Sequence, residues 1–309
     1  MARYILQRII YMAITLFIIA TISFFLMKFL PGTPLSAQER LSEVQQQIIL
    51  EKYGLNDPVP IQYLNYIWNL MQGDLGISFQ YDNRSVASIL ETRIGPSFQL
   101  GIQSLIVGSI LGTLLGIVSA IYHNGFMDRI STFIAVIGTS IPSFIFAGLL
   151  QYFVGVKLGW LPVATWGGFE YSILPTIALM IFPMATCARF MRTEMLEVMG
   201  QDYITTARAK GANQTSVVFK HGIRNALIPL VTILGPLAVG LLTGTLVIEQ
   251  IFAVPGIGEQ FVSSVMTNDF PVIMGTTLFF AFFFVLVVLI IDILYGIIDP
   301  RIRISGGDR

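Results

Sequence analysis

Few side chains in this sequence have the chemistry and the spacing of a catalytic or metal site. Cys187 is the single cysteine, and the two histidines, His123 and His221, have no third ligand at a metal-binding spacing. The sequence also lacks the G-x-x-x-x-G-K-[ST] pattern that cradles the phosphates of a nucleotide. These residues predict neither catalysis nor nucleotide hydrolysis by this chain. If it moves a solute uphill, another subunit supplies the energy.

Asp292 is the one carboxylate inside an apolar stretch long enough to cross a membrane. A charge near mid-membrane would cost roughly 2.5 to 3.5 kcal/mol. Asp292 precedes Asp299 by seven residues, so it should lie within about two turns of the end of its helix. We expect a structural ion pair with an inner-side arginine such as Arg8 or Arg189, and a role in gating is the alternative.

The other candidate functional feature is a long polar and basic segment, which is suited to a protein or membrane surface. Residues 202–229, DYITTARAKGANQTSVVFKHGIRNALIP, are polar and basic over an unusual length for this chain. Helix formers lead to Lys210 in a last turn, where cations favour the negative end of the helix dipole. Gly211 follows at the position of a left-handed cap, and Asn213 or Thr215 can cap a second short helix. The stretch therefore predicts a helix, a tight turn and a second helix.

Two interpretations of this segment are open from the residues alone. One is a solvated basic loop that touches anionic membrane lipid. The other is a projecting helix–turn–helix whose small apolar faces, next to basic ones, dock in a groove on a soluble partner. Both place the segment on a surface and not across the membrane.

The elements that hold these residues follow from the composition. Of the 309 residues, 54% are hydrophobic and 12% are charged, and the formal net charge is zero. This is the composition of an integral membrane protein, and it gives no reason to expect a nucleic-acid partner. Uncharged runs of about 20 residues or more predict transmembrane helices. Six spans are expected, at about 9–30, 98–122, 131–156, 172–190, 226–250 and 272–298. The predicted fold class is an all-α, polytopic membrane protein.

Positive charge is concentrated on one side of the predicted spans. With the N terminus inside, twelve of the eighteen Lys and Arg residues fall in inner segments, as the positive-inside rule requires. Six crossings then place both termini in the cytoplasm. Loop 190–225, which contains the basic segment, is cytoplasmic, and residues 31–95 form an extracytoplasmic helical insertion between the first two spans.

The insertion of residues 31–95 is too long to be structureless in a compact protein. Ser36 and Glu39 form a capping-box pattern that opens one helix, and residues 58–71 favour another. Two roles are open for the insertion. It is either a lid that shields the first span or a platform for an extracytoplasmic binding protein.

Small residues and prolines mark particular spans. Gly108, Gly112 and Gly116 recur at every fourth residue, which lets another helix approach closely, and we expect this stripe to pack within the bundle. Prolines interrupt the third, fourth and fifth spans, where the freed carbonyl groups need partners other than lipid. These are Pro142, Pro175, Pro183 and Pro236, and they predict bends.

The basic segment resembles the EAA loop of permease subunits of ATP-binding-cassette (ABC) importers. Thr205, Thr206 and Ala207 occupy the first three positions of that motif, and Gly211 occupies its glycine position. The sequence D-Y-I-T-T-A-R-A-K-G at 202–211 is similar to the corresponding loop in the oligopeptide and dipeptide branch of this family. Further matches to the B-type subunit of oligopeptide permeases run from end to end. They include LPGTP at 30–34, GDLGIS at 73–78, IEQIFAVPGIGEQF at 248–261, NDFPVIMG at 268–275 and DILYGIIDPRI at 292–302.

This resemblance implies the type I ABC importer permease fold and an importer half-channel in the bacterial cytoplasmic membrane. The expected partners are a homologous second permease subunit that completes a heterodimer, two ABC ATPase subunits, an extracytoplasmic peptide-binding lipoprotein and the peptide substrate. No cofactor is expected on this chain, because ATP and Mg²⁺ would be bound by the ATPase subunits.

The resemblance also implies roles for individual residues. The ATPase-coupling loop would comprise ten residues of the basic segment: Asp202, Tyr203, Thr205, Thr206, Ala207, Arg208, Lys210, Gly211, Asn213 and Lys220. A turn-rich outer loop with Pro255, Gly256 and Gly258 is the candidate outer gate.

Other functions are weighed by the residues they need. Within the same superfamily, nickel complexes and glutathione are alternative cargoes. An intramembrane enzyme would need paired carboxylates or a Ser/His set within the bilayer, and an ion-coupled carrier usually needs several ionisable groups on its path. Away from their ends, the predicted spans offer only Asp292 as a charged residue, which disfavours both classes.

Overall fold

The structure is a computed structural model that describes residues 2–29, 51, 54–81, 84–242 and 245–298. The chain divides into two compact units. Unit 1 combines residues 1–96 with 255–289, and unit 2 combines residues 97–254 with 290–309. Two of these boundaries lie inside long helices, so each of those helices contributes a segment to both units.

Helices make up almost all the regular structure of the described residues, which otherwise contain one isolated antiparallel bridge, Ile77 with Ser85. The α-helices are α1 (Ala2–Phe29), α2 (Val59–Met71), α3 (Val86–Ile121), α4 (Phe126–Ser140), α5 (Ser143–Leu150), α6 (Phe169–Met199), α7 (Asp202–Ala209), α8 (Gln214–Ser216), α9 (Arg224–Leu242), α10 (Leu246–Phe252), α11 (Ile257–Met266) and α12 (Phe270–Ile298). Two π-helical segments, Gln151–Lys157 and Val217–Ile223, follow α5 and α8.

Membrane-length helices dominate the described part of the chain. Five segments are long and apolar enough to cross a bilayer: Leu6–Phe29, Val86–Ile121, Phe169–Met199, Gln214–Leu241 and Phe270–Ile291. A sixth crossing results if the bent pair Phe126–Ser140 and Ser143–Lys157 is one span. The predicted all-α, polytopic fold class is therefore confirmed.

The third predicted span, 131–156, is not one straight helix. It bends by 104° between α4 and the segment that begins with α5. Ile141, the residue before Pro142, has an extended conformation (φ −86°, ψ 122°), as expected because a proline ring disfavours helical geometry in the preceding residue. The bend at Pro142 was predicted, whereas the π-helical continuation was not.

The fifth predicted span, 226–250, also differs from the structure. Helix α9 is described to Leu242, and Leu246–Phe252 form a separate short helix, α10. Glu249 of α10 is 1% exposed and accepts a hydrogen bond from the Ser97 hydroxyl at 2.8 Å. The burial of this carboxylate was not predicted from the sequence.

Unit 2 is organised around α6, which contacts α4, α5, α9 and the second π-helical segment. The glycine stripe of α3 packs against α6. A Cβ atom at Gly112 would lie 2.2 Å from the carbonyl oxygen of Met184, and one at Gly116 would lie 2.6 Å from that of Ala188. The predicted packing of the stripe within the bundle is confirmed. Cys187, also on α6, is fully buried.

The Gly112→Ala variant is expected to lose about 1–3 kcal/mol of stability, because a methyl group there overpacks the contact between α3 and α6. Gly148→Ala is the matched control, since a Cβ at Gly148 of α5 meets nothing within 4 Å, and alanine favours a helix over glycine. Thermal unfolding of the purified variants measures the difference. Equal midpoints for the two variants would contradict the close approach.

Unit 1 contains α1, α2, the first part of α3, α11 and most of α12. Its core is formed by Val86, Ile89 and Leu90 of α3 with Ile257 and Val272. The helix predicted over 58–71 is present as α2. The capping box at Ser36 and Glu39 lies outside the described residues.

Asp269 organises the polar part of unit 1. It is fully buried and accepts hydrogen bonds from the Ser78 hydroxyl and, at 3.2 Å, from the backbone N–H of Phe79. Burial raises the pKa of Asp269, and these hydrogen bonds oppose that rise. The NDFP motif therefore fixes the turn at residues 78–81 through its carboxylate.

Candidate coupling interface

The predicted helix and tight turn are present at the start of the basic segment. Helix α7, Asp202–Ala209, ends in a turn where Gly211 has φ +85°. The Gly211 N–H donates to the carbonyl oxygen of Arg208 at 2.9 Å, and the Ala212 N–H donates to that of Ala207 at 3.1 Å. These bonds satisfy carbonyl groups that the end of a helix leaves free. The left-handed cap at Gly211 is confirmed.

The second helix of the segment begins at Asn213. Its side-chain oxygen accepts a hydrogen bond from the Ser216 N–H at 2.8 Å, which is the geometry of an N-cap. Of the two predicted caps, Asn213 therefore makes the capping bond. After the short helix α8, the backbone continues as the π-helical segment Val217–Ile223 and joins α9 at Arg224. Such π turns are frequent at functional sites.

Buried side chains attach the segment to two long helices. Ile204 and Val217 are fully buried, and Val218 is 4% exposed. Val218 shares a hydrophobic cluster with Met191 and Met195 of α6 and with Ala226 and Leu230 of α9. The segment is thus held against α6 and α9 by its own apolar face.

The π-helical segment approaches α6 closely. A Cβ atom at Gly222 would lie 3.2 Å from the sulfur of Met199 and 3.3 Å from the terminal methyl group of Met195. The Asn225 side-chain amide donates to the backbone carbonyl of His221 at 2.7 Å, which supplies one of the partners that irregular helical geometry requires. His221 is therefore next to a structural contact and belongs to no described cluster of metal ligands.

The opposite face of the segment is exposed. Nine of the ten residues predicted for coupling are exposed, and Ala207 is partly buried. The exposed cations are Arg208, Lys210 and Lys220, and two aromatic side chains lie on the same segment, Tyr203 at 43% and Phe219 at 65% exposed. Aromatic and cationic side chains of this kind are common anchors of protein interfaces. The predicted coupling residues are distributed over α7, the turn at Gly211, the cap at Asn213 and the second π-helical segment.

A buried ion pair on the inner side of unit 2, between Asp128 and Arg192, was not predicted from the sequence. Asp128 of α4, which is 4% exposed, receives two hydrogen bonds from Arg192 of α6, at 2.8 and 2.9 Å. The Ser119 hydroxyl of α3 and the backbone N–H of Asn124 also donate to it. His123 contacts both charged partners, so it belongs to this clamp. We call Ser119, His123, Asn124, Asp128 and Arg192 the inner clamp.

The sequence contained a partial signal for the inner clamp. Arg192 and Arg189 precede the basic segment, and Asp128 lies in the first turn of α4, three residues after Gly125. An acidic residue in a first helical turn is ordinarily explained by the helix dipole. Only the structure shows that the Asp128 carboxylate is paired with an arginine 64 residues away.

Replacing Arg192 with methionine is expected to destabilise the protein by about 1–3 kcal/mol, because the Asp128 carboxylate would stay buried without its cation. The double variant Arg192→Met, Asp128→Asn is expected to recover part of this loss, since the uncompensated charge is removed. Thermal unfolding in lipid nanodiscs compares the three proteins. A single variant as stable as the parent would show that the pair contributes nothing to the fold.

The other predicted site residues lie elsewhere. Pro255, Gly256 and Gly258 lie in the connection between α10 and the start of α11, and both glycines are buried. Asp292 lies on α12, but its side chain is outside the described part of the structure, so its ion pair stays a prediction. Among the described residues, no group of three or more His, Cys, Asp and Glu side chains could hold a metal ion.

These features define a polytopic membrane protein with an exposed basic segment that is anchored to two long helices by buried side chains. The chain belongs to the family of binding-protein-dependent transport system inner membrane components. The model of that family matches residues 112–304, and the model of the N-terminal part of these membrane components matches residues 1–95. It is therefore a transport permease component and a multi-pass protein of the bacterial plasma membrane.

Two curated relatives match almost the whole chain. The dipeptide transport system permease protein of Lactococcus lactis subsp. cremoris (strain MG1363) is 46% identical over 304 residues, which cover 98% of this chain and 100% of that protein. The dipeptide transport system permease protein of Bacillus subtilis (strain 168) is 42% identical over 304 residues, which cover 98% of this chain and 99% of that protein. The resemblance to oligopeptide and dipeptide permeases is confirmed.

A solved structure shows the same fold. An inward-facing form of the methionine ABC transporter MetNI matches with a TM-score of 0.52 at 18% identity, covering 69% of this chain and 97% of that chain. The fold is thus that of an ABC importer permease. As a member of this family, the chain works with further permease, ATPase and binding-protein subunits.

Proposed function

We propose that this chain is the permease subunit of an ATP-driven importer that moves dipeptides or oligopeptides across the cytoplasmic membrane, and that residues 202–220 couple it to separate ATPase subunits. The observation that carries the coupling role is the two-sided construction of this segment. Val217 and Val218 are buried, and the cluster that contains Val218 includes side chains of α6 and α9, whereas Tyr203, Phe219 and three cations are exposed.

This construction suits a mechanical contact. A docking partner that moves the exposed face would displace the buried face with it, because packed side chains have few alternative arrangements. The movement would reach α6 and α9, two helices of membrane-spanning length. No reaction on this chain is required, which agrees with a transport component that has no nucleotide-binding motif of its own.

The proposed complex contains this chain, one homologous permease as a heterodimeric partner, two ABC ATPase subunits and an extracytoplasmic peptide-binding lipoprotein. ATP and Mg²⁺ would be bound by the ATPase subunits. The dipeptide permeases at 46% and 42% identity support peptide as the cargo. Pro255, Gly256 and Gly258 are our proposed outer gate, and their support is the buried, turn-rich connection in which they lie.

Affinity purification of the tagged chain from its host tests the proposal directly. We expect co-purification of a second permease, two ATPases and a binding protein. Liposomes that contain the recovered complex should take up a radiolabelled dipeptide when ATP is present on the side of the ATPase subunits. Parallel assays with a pentapeptide, glutathione and a nickel complex identify the cargo. Transport by this chain alone, or recovery without an ATPase, would overturn the proposal.

A further inference from the structure

Helix α2, the described helix of the outer insertion, lies against the outer part of the first span. The Tyr63 hydroxyl is 2.9 Å from the Thr21 hydroxyl, and the Tyr66 ring stacks on Phe24 at 5.5 Å. Lys28 donates a hydrogen bond to the Gln62 side chain. Thr21 lies eight residues before the end of α1, which corresponds to about 12 Å along a helix. Part of α2 is therefore at the depth of the bilayer.

A fully apolar cavity opens between α1, α2 and α12. Its volume is about 450 Å³, and every side chain that lines it is apolar. The walls include Leu16 and Phe17 of α1, Ile67 and Leu70 of α2, and Leu278 of α12. Since α1 and α12 both contain membrane-length spans, this cavity lies within the hydrocarbon region.

A second cavity, with both polar and apolar walls, lies towards the outer end of the same three helices. Its volume is about 390 Å³, and Leu75 lines both cavities. Polar side chains line this outer space, among them Lys28, Asn65, Asn69 and Asp74. The Tyr66 hydroxyl, which is buried, has no hydrogen-bond partner among the described residues. The two cavities thus place a charged and hydrogen-bonding compartment outside an apolar one.

The spacing of the compartments matches one leaflet of a bilayer. Lys28 and Phe17 are eleven residues apart on α1, or about 16 Å along a helix, which is close to half of the ~30 Å hydrocarbon core. An amphiphile with a phosphate head and an acyl chain would fill both spaces in this order. A soluble protein partner would not reach the apolar cavity without crossing the head-group region.

Helix α2 exposes apolar side chains, as α1 does. Helix α2 has no charged residue, and Ile61, Leu64 and Trp68 are 46%, 65% and 62% exposed. On α1, Ile22 and Leu26 are similarly exposed, at 53% and 55%. A helix with this composition is suited to lie in the membrane interface, where tryptophan is enriched.

We propose that the space between α1, α2 and α12 binds one phospholipid of the outer leaflet, with its phosphate near Lys28 and an acyl chain between Phe17, Leu70 and Leu278. Helix α2 is then a membrane-embedded wall of a lipid site. All the residues of this lipid site belong to unit 1.

Filling the apolar cavity tests the acyl-chain part. Ala13 lines its deep end and is exposed on α1, so Ala13→Trp occupies the space without a core clash. Ile14→Trp is the matched control, because Ile14 is 48% exposed and does not line the cavity. After detergent washing of the intact complex, native mass spectrometry counts retained phospholipids. We expect one fewer per permease in Ala13→Trp than in Ile14→Trp. Equal counts would overturn the proposal.

Rebinding of added lipid tests the head-group part. The washed complex is titrated with phosphatidylglycerol, phosphatidylethanolamine and diacylglycerol of identical chains. Lys28→Gln should weaken binding of the two phospholipids about fivefold, the effect expected for one lysine near a membrane surface, and leave diacylglycerol binding unchanged. Equal binding of diacylglycerol and phospholipids by the parent protein would show that no phosphate is recognised, and would overturn that assignment.

Discussion

Replacing Gly211 with valine is expected to abolish ATP-driven uptake by the assembled complex while the permease still inserts and folds. Gly211 has φ +85°, a conformation that costs most L-residues roughly 1–2 kcal/mol and costs β-branched residues more. A Cβ there meets nothing within 4 Å, so the penalty comes from the backbone and not from packing. Valine would therefore open the turn and separate the two exposed helices. Peptide uptake and ATP hydrolysis are measured on the same proteoliposomes.

Two further variants isolate the role of the turn. Gly211→Asn should keep most of the uptake, because asparagine tolerates the left-handed conformation. Gly200 lies just before α7 and has φ −86°, a conformation that other residues adopt readily. Gly200→Val should therefore leave uptake within about twofold of the parent, since a surface substitution of this kind costs at most about 0.5 kcal/mol. Normal uptake in Gly211→Val, or the same loss in Gly200→Val, would refute the importance of the left-handed turn.

The turn at Gly211 matters because it joins α7 to a firmly packed base. Asn213 caps the next helix, and the π-helical segment then carries Val217 and Val218 into the packing of unit 2. A change of direction at Gly211 alters where α7 projects from this fixed base. We therefore expect Gly211→Val to lower coupling with little loss of thermal stability. Gly112→Ala should instead lower thermal stability and leave coupling little changed.

Local features of the coupling segment could be predicted because each is complete within one turn of chain. The glycine cap at 211 and the asparagine cap at 213 depend on residues three to five positions away, and both are present. Pro142 likewise acts on its immediate neighbour. The angle of the resulting bend could not be predicted, since it depends on how the helices after the break pack in unit 2.

Long-range pairing could not be predicted from these patterns. Asp128 pairs with Arg192, and Glu249 with Ser97, across 64 and 152 residues. In the sequence, each carboxylate resembles an ordinary charge close to a helix end. The π-helical segments were also missed, because their side-chain pattern within seven residues differs little from that of an α-helix. The same limit applies to α2, whose existence was predicted but whose position along α1 depends on tertiary contacts.

Substituting Phe219 with alanine is expected to weaken the association of the permease with its ATPase subunits by about tenfold or more, as for an aromatic anchor at the centre of an interface. Phe219 is 65% exposed, whereas its neighbour Val218 is 4% exposed. Removing the Phe219 ring should therefore leave the thermal stability of the isolated permease unchanged. The affinity of purified ATPase subunits for the permease in nanodiscs measures the effect, and Val218→Ala in the same assay should lower stability instead.

Phe169 provides the matched control for this experiment, because it is 69% exposed at the opposite end of α6 from the coupling segment. With the N terminus in the cytoplasm, that end of α6 is extracytoplasmic and out of reach of an ATPase. Phe169→Ala should bind the ATPase subunits like the parent. If Phe219→Ala and Phe169→Ala retain the same affinity, the exposed aromatic side chain is not an anchor. The contact would then depend on the cations Arg208, Lys210 and Lys220, and strong weakening of the parent complex by salt would follow.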